Sequence, residues 1–280
     1  MIELDVELAG GRTLHVYDTG PATNESLPVL WHHGTPNLGA PPEPLFAAAD
    51  RLGLRWVSFD RPGYGGSGVA PGRTVASVAA DAAAVADALG LGRFAVVGYS
   101  GGGTYALGCA AVLGDRVRAV VSLAGIAPYG ADGLDWFAGM IPSGVAALGT
   151  AAAGREVRAA LEESGFAYDC EFTAADLAFF EGPWSWLGKV SEPALDAGPY
   201  GQVDDDVSYT HPWGCDPATI SAPVLLLHGT ADRVVPASHA TWLAAHCPTA
   251  ELRLRADDSH FTVAGHAEEG LDWLHRQISG

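Results

Sequence analysis

What most constrains the fold of this 280-residue chain is a rhythm in its apolar residues. Short, nearly continuous apolar runs at residues 28–32, 55–59, 93–97, 117–123 and 223–228 are separated by Gly/Pro-rich turns and alanine-rich stretches of helical spacing. A strand that is buried on one face alternates polar and apolar side chains, whereas a strand covered on both faces has no polar side to show. The runs therefore predict a mostly parallel sheet with helices on both faces, joined by right-handed crossovers. Two alternating segments, 2–8 and 13–18, precede them and read as an antiparallel start. Helices are expected over 74–89, 104–113, 238–246 and 264–278.

Composition bounds the partners. With 48% apolar residues the chain has ample material for a buried sheet. A formal net charge of −18, with one lysine (Lys189) among 15 basic residues, repels phosphate backbones and anionic headgroups, so neither nucleic acid nor a membrane surface is an expected partner. The four cysteines show no C-x-x-C spacing and no Cys/His metal pattern, and no metal or cofactor is expected. An acidic, alternating amino terminus is unlike a signal peptide, and no apolar run approaches the twenty residues of a bilayer span. A cytoplasmic protein is the expectation, and the Ala/Gly/Arg-rich, lysine-poor usage fits a bacterial coding bias. Nothing in the sequence sets an oligomeric state.

One segment breaks the rhythm. Residues 128–215 hold short helical stretches, Gly and Pro breaks and many aromatics, but no buried-strand pattern. They are expected to form a helical cap inserted in a core made of residues 1–127 and 216–280. The acidic run Asp204-Asp205-Asp206 within it could bind a substrate ammonium, but reads first as a solvated face.

The sequence Gly98-Tyr99-Ser100-Gly101-Gly102 joins a buried-type strand to an alanine-rich helix. A nucleophilic serine on so tight a turn needs small residues two positions either side, where side chains would collide with neighbouring backbone. The helix that starts behind it offers free N–H groups and a positive dipole end to a developing oxyanion.

Three further segments accompany this turn: Trp31-His32-His33-Gly34-Thr35-Pro36, Asp60-Arg61-Pro62-Gly63-Tyr64-Gly65-Gly66-Ser67, and the pair Leu226–Pro236 and Asp257–Phe261. With them the chain resembles the α/β-hydrolase-fold serine hydrolases, an esterase/lipase-like superfamily with a helical cap, from about residue 14 to residue 278. The resemblance implies an eight-stranded, mostly parallel sheet. It implies Ser100 as nucleophile, His260 as general base and Asp232 as the carboxylate that orients it, in this fold's chain order. Asp257 and Asp258 compete with Asp232 for the last role. The backbone N–H groups of Thr35 and Gly101 are implied as the oxyanion hole. His32 and His33 are expected to brace that loop, and Asp60 and Arg61 to be structural.

The function so implied is hydrolysis of a carboxylic ester or lactone of a small to medium apolar acyl substrate. The substrate would lie against Tyr99, Trp136, Phe137, Phe179, Phe180, Trp184 and Trp186. A peptidase of the proline-iminopeptidase type, a thioesterase or a carbon–carbon bond hydrolase would use the same residues. A non-catalytic small-ligand binding protein on the same fold stands as the reading from another class.

Overall fold

The computed structural model describes residues 1–20 and 26–279. Among them eight strands form one sheet: β1 (Ile2–Glu7), β2 (Thr13–Asp18), β3 (Leu27–His32), β4 (Leu54–Phe59), β5 (Phe94–Tyr99), β6 (Val117–Leu123), β7 (Val224–Gly229) and β8 (Ala250–Arg255). Their spatial order is β1-β2-β4-β3-β5-β6-β7-β8. Strand β2 runs antiparallel to both its neighbours, and β3 to β8 pair in parallel. The mostly parallel sheet expected from the apolar rhythm is therefore present. Strand β5, buried along its whole length, is central.

Strand β8 is the one whose bounds the apolar rhythm does not mark. It lies at the sheet edge, half-exposed, and its sequence Ala-Glu-Leu-Arg-Leu-Arg alternates as a one-sided strand should. Helices α1 (Phe46–Leu52), α2 (Val75–Ala88) and α3 (Gly101–Leu113) connect the first half of the sheet. Helix α2 starts at a capping box in which Thr74 accepts from the Ser77 N–H and Ser77 accepts from the Thr74 N–H. Helices α4 (Pro142–Ala152), α5 (Arg155–Glu163), α6 (Ala174–Phe180), α7 (Trp186–Ser191) and α8 (Tyr200–Thr210) all fall between β6 and β7. Helices α9 (Ser238–His246) and α10 (Ala267–Ser279) complete the chain order.

The core has two halves, one on each face of the sheet. Val75, Val78, Tyr105 and Leu107 of α2 and α3 pack with Leu30, Phe59 and Val96 on one face. Ala48, Leu271 and Leu274 of α1 and α10 pack with Trp31, Trp56 and Val97 on the other. Chain order reverses at β3, whose neighbours β4 and β5 lie on opposite sides. Loops leaving β3 and β5 therefore part there, and an open α/β sheet offers its ligand crevice at such a point.

Helix α8 docks against the loop after β4 through two glycines. A Cβ on Gly201 would stand 2.7 Å from the Gly63 carbonyl oxygen, and one on Gly63 would stand 3.0 Å from the Gly201 Cα. Neither position has room for a side chain.

Candidate active site

Ser100 follows β5 directly, with φ 56° and ψ −129°, a conformation that L-residues rarely adopt. The turn is held by the Ser100 N–H donating to the Leu123 carbonyl at 2.8 Å. A Cβ on Gly98 would come within 2.1 Å of the Gly102 carbonyl oxygen, and one on Gly102 within 2.0 Å of the His32 carbonyl oxygen. The glycine spacing read in the sequence is thus a clearance requirement of this turn.

His260 lies on the loop after β8 and Asp232 on the loop after β7. His260 Nε2 is 2.9 Å from Ser100 Oγ, and His260 Nδ1 is 2.7 Å from Asp232 Oδ2. The Tyr99 hydroxyl donates to the His260 carbonyl at 3.1 Å, which ties the imidazole's loop to the strand that carries Ser100. Asp232 Oδ1 accepts the N–H groups of Val234 and Val235 at 2.9 and 2.8 Å. Burial works to raise the Asp232 carboxyl, but the imidazoles of His260 and His228 outweigh it and hold the group well below its ordinary value. Asp258 turns instead to Thr262 and His266. Asp232, of the three candidate aspartates, is the one brought to His260.

Opposite the imidazole stands the loop after β3. A Cβ on Gly34 would lie 3.6 Å from Ser100 Cβ, so this loop passes directly over the serine, and both Thr35 and Gly101 line the cavity there. His33 braces the loop as a neutral ring. Its Nδ1–H donates to the Gly34 carbonyl at 2.8 Å and its Nε2 accepts the Arg61 N–H at 3.0 Å. Burial, reinforced by the Arg61 charge, keeps His33 well below its usual pKa. His32 packs behind, 3.1 Å from Cys109 Sγ, and burial lowers it to about 3.

The acidic run at 204–206 is not a solvated face. All three residues are buried, and Asp205 is 0% exposed. Its carboxylate accepts from Arg61 Nη2 at 2.6 Å, Arg73 Nη2 at 2.8 Å, Tyr105 at 2.7 Å, Tyr64 at 2.9 Å and Thr35 Oγ1 at 2.7 Å. Burial alone would raise this carboxyl, yet the two guanidiniums hold it far below its ordinary value. Arg61 also donates to the His33 and Gly34 carbonyls, so Asp205 pins the loop over Ser100 through Arg61. The Tyr209 hydroxyl lies 2.8 Å from Thr35 Oγ1. Sequence reading missed this network because its partners lie up to 170 residues away. The available signal was the period of α8: small or apolar residues at 201 and 208 share a face with Asp205.

A cavity of about 730 Å³ opens onto Ser100 and His260, between the sheet's carboxyl edge and the helices that follow β6. Of the aromatic residues expected along it, Tyr99 and Phe180 line it. Trp136, Phe137, Phe179, Trp184 and Trp186 do not, and each is held elsewhere. Trp136 donates Nε1–H to the Ala127 carbonyl at 2.8 Å and packs on His239, with Phe137 against its edge. Trp186 joins Trp31, Trp184 packs on Trp186, and Phe179 stacks on Trp184, on the opposite face of the sheet. The three tryptophans are buried, where they take the most apolar area out of water, and Phe137 and Phe179 are held off the cavity by packing on them. Smaller aromatics, Phe166, Tyr168, Phe172 and Phe261, form the wall in their place. Among the described residues no group of His, Cys, Asp and Glu could hold a metal ion, and no helix is long and apolar enough to cross a membrane.

A family model described as alpha/beta hydrolase fold matches residues 28–267. Among solved structures the chain is similar to a bromoperoxidase from Bacillus anthracis, at 23% identity and a TM-score of 0.75 over 100% of both chains. It is similar also to an enol-lactonase from Burkholderia xenovorans LB400, at 19% identity and a TM-score of 0.71 over 100% of both chains. An esterase from Exiguobacterium antarcticum, at 20% identity and a TM-score of 0.70 over 100% of both chains, is a third. At such identities these are likenesses of fold. No curated protein matches the chain in sequence.

Proposed function

The chain belongs to the alpha/beta hydrolase fold family, and from that premise we propose that it is a serine hydrolase cleaving a carboxylic ester or lactone through an acyl-enzyme on Ser100. One observation carries the reading: a hydroxyl on a strained turn, 2.9 Å from an imidazole whose other nitrogen is 2.7 Å from a buried carboxylate. Ser100 Oγ bonds to the substrate carbonyl carbon as its proton passes to His260 Nε2. Asp232 keeps the Nδ1–H tautomer and stabilises the imidazolium. The tetrahedral oxyanion faces the N–H groups of Thr35 and Gly101, each worth about 3–4 kcal/mol on the scale of single-donor removal. Collapse expels the alcohol, which takes the proton from Nε2. Water then attacks the acyl carbon, passes a proton to Nε2, and collapse of the second intermediate returns that proton to Ser100.

The cavity wall supports an ester of small to medium size with a largely apolar body, and its volume suits such a ligand. The test is chemical. A fluorophosphonate should label Ser100, located by peptide mass spectrometry, and Ser100→Ala should lose hydrolysis of p-nitrophenyl hexanoate. Unchanged hydrolysis by Ser100→Ala, with no label at Ser100, would overturn the proposal.

A further inference from the structure

Helix α8 has two working faces. Residues 201, 205 and 208 turn to the core, where Asp205 is saturated with hydrogen bonds. Gln202, Asp206 and Tyr209, at spacings of four and three, turn to the cavity. Gln202 is 8% exposed and its side-chain amide meets no hydrogen-bond partner among the described residues. Asp206, 7% exposed, has Oδ2 taken by Arg158 Nε at 2.7 Å, and no donor reaches Oδ1 among the described residues. Arg158 also pairs with Glu162, 2.5 Å away, which lines the same cavity. One guanidinium thus stands between two carboxylates, leaving this end of the cavity with an excess of negative charge.

The Gln202 amide and Asp206 Oδ1 open onto the cavity, where they offer hydrogen-bonding groups to whatever occupies it. We infer that the Gln202–Asp206 stripe is a specificity subsite for an ester whose acyl or alcohol arm carries a hydrogen-bond donor, a hydroxyl or a protonated amine. An anionic arm would meet two carboxylates and be repelled. The helix acts as a ruler: Tyr209 stands at the oxyanion loop, and at 1.5 Å rise per residue Asp206 and Gln202 lie roughly 5 and 10 Å further along the axis. The donor therefore belongs about four to seven bonds from the reacting carbonyl. This inference rests on the serine hydrolase reading and narrows its substrate class.

The experiment compares kcat/KM for two matched series. One is p-nitrophenyl esters of hexanoic, 6-hydroxyhexanoic and 6-aminohexanoic acids and the monoester of adipic acid. The other is acetates of butanol, 4-hydroxybutanol and 4-aminobutanol. In one series a donor-tipped ester should exceed the plain one by about tenfold or more, the scale of one charge-assisted hydrogen bond, and the adipate monoester should fall below plain hexanoate. Gln202→Leu and Asp206→Asn should each collapse that ratio, while Gln202→Glu should shift it toward the amine tip over the hydroxyl tip. If the plain esters react as fast as the donor-tipped ones in both series, or the ratio survives both substitutions, the inference is wrong. Ser100-dependent turnover of plain hexanoate would leave the hydrolase reading standing in that event. Absence of turnover on every ester would remove both.

Discussion

Asp205 and Asp232 are both buried carboxylates held below their ordinary range by cations or imidazoles, yet they do different things. Around Asp205 the partners are two arginines, Tyr64, Tyr105 and Thr35. Arginine does not titrate in the working range, so that cluster has one protonation state and serves to hold a loop. Around Asp232 the partner is an imidazole whose second nitrogen faces a serine hydroxyl. That partner can gain and lose a proton, so the same carboxylate environment becomes part of a proton path. A perturbed carboxyl therefore does not by itself mark chemistry; what matters is whether its partner can move a proton.

Asp232→Asn should lower kcat about 10⁴-fold through the wrong imidazole tautomer, while the protein stays folded by circular dichroism. Asp205→Ala should do the reverse, removing about 3–5 kcal/mol of stability in urea titration because two buried guanidiniums lose their counter-charge. Its remaining folded molecules should lose far less activity than Asp232→Asn does. A stable Asp205→Ala protein with a 10⁴-fold activity loss would erase the distinction.

Buried carboxylates on the same helix also differ in how they make stability depend on pH. Asp205 and Asp232 have folded-state values below the unfolded ~3.9, so the stability they contribute is complete above about pH 4 and is lost as pH falls further. Asp206 behaves oppositely. Burial raises it to about 6, despite Arg158. Its contribution is thus full below its unfolded value of about 4 and is lost as pH rises through the folded value. Between pH 7 and pH 5 the depressed imidazoles of His32 and His33 lower the stability of the wild type as the unfolded chain takes up protons, and Asp206 partly offsets that loss; Asp206→Asn should therefore make the fall in urea midpoint steeper. The smallest effect is expected from Tyr209→Phe, which removes one hydroxyl from Thr35. It should cost about 0.5–1.5 kcal/mol, read as a fall in kcat/KM of no more than about tenfold.

Much of the site was legible because its parts are local. Ser100, Thr35, Asp232 and His260 each follow a strand within a few residues, and glycines mark the tight turns beside the first three. Strand β8 was less legible, since an edge strand exposes charged residues and leaves no apolar run. The wall aromatics were misassigned because residue type does not tell a ring that packs the core from one that lines a cavity. Trp136 and Trp186 are large enough to be drawn inward, while Phe166 and Phe172 remain at the wall.

The alternation of strand and helix and the glycine-flanked turn at Ser100 follow from the sequence alone. Each depends on apolar period, glycine clearance or adjacency along the chain, and those are properties of short segments. Tertiary structure alone decided that residues 204–206 are buried. It decided too that α8 turns one face to the loop over Ser100 and another to the cavity. Those outcomes depend on desolvation and charge pairing between residues more than a hundred positions apart, and no local pattern encodes such a partner.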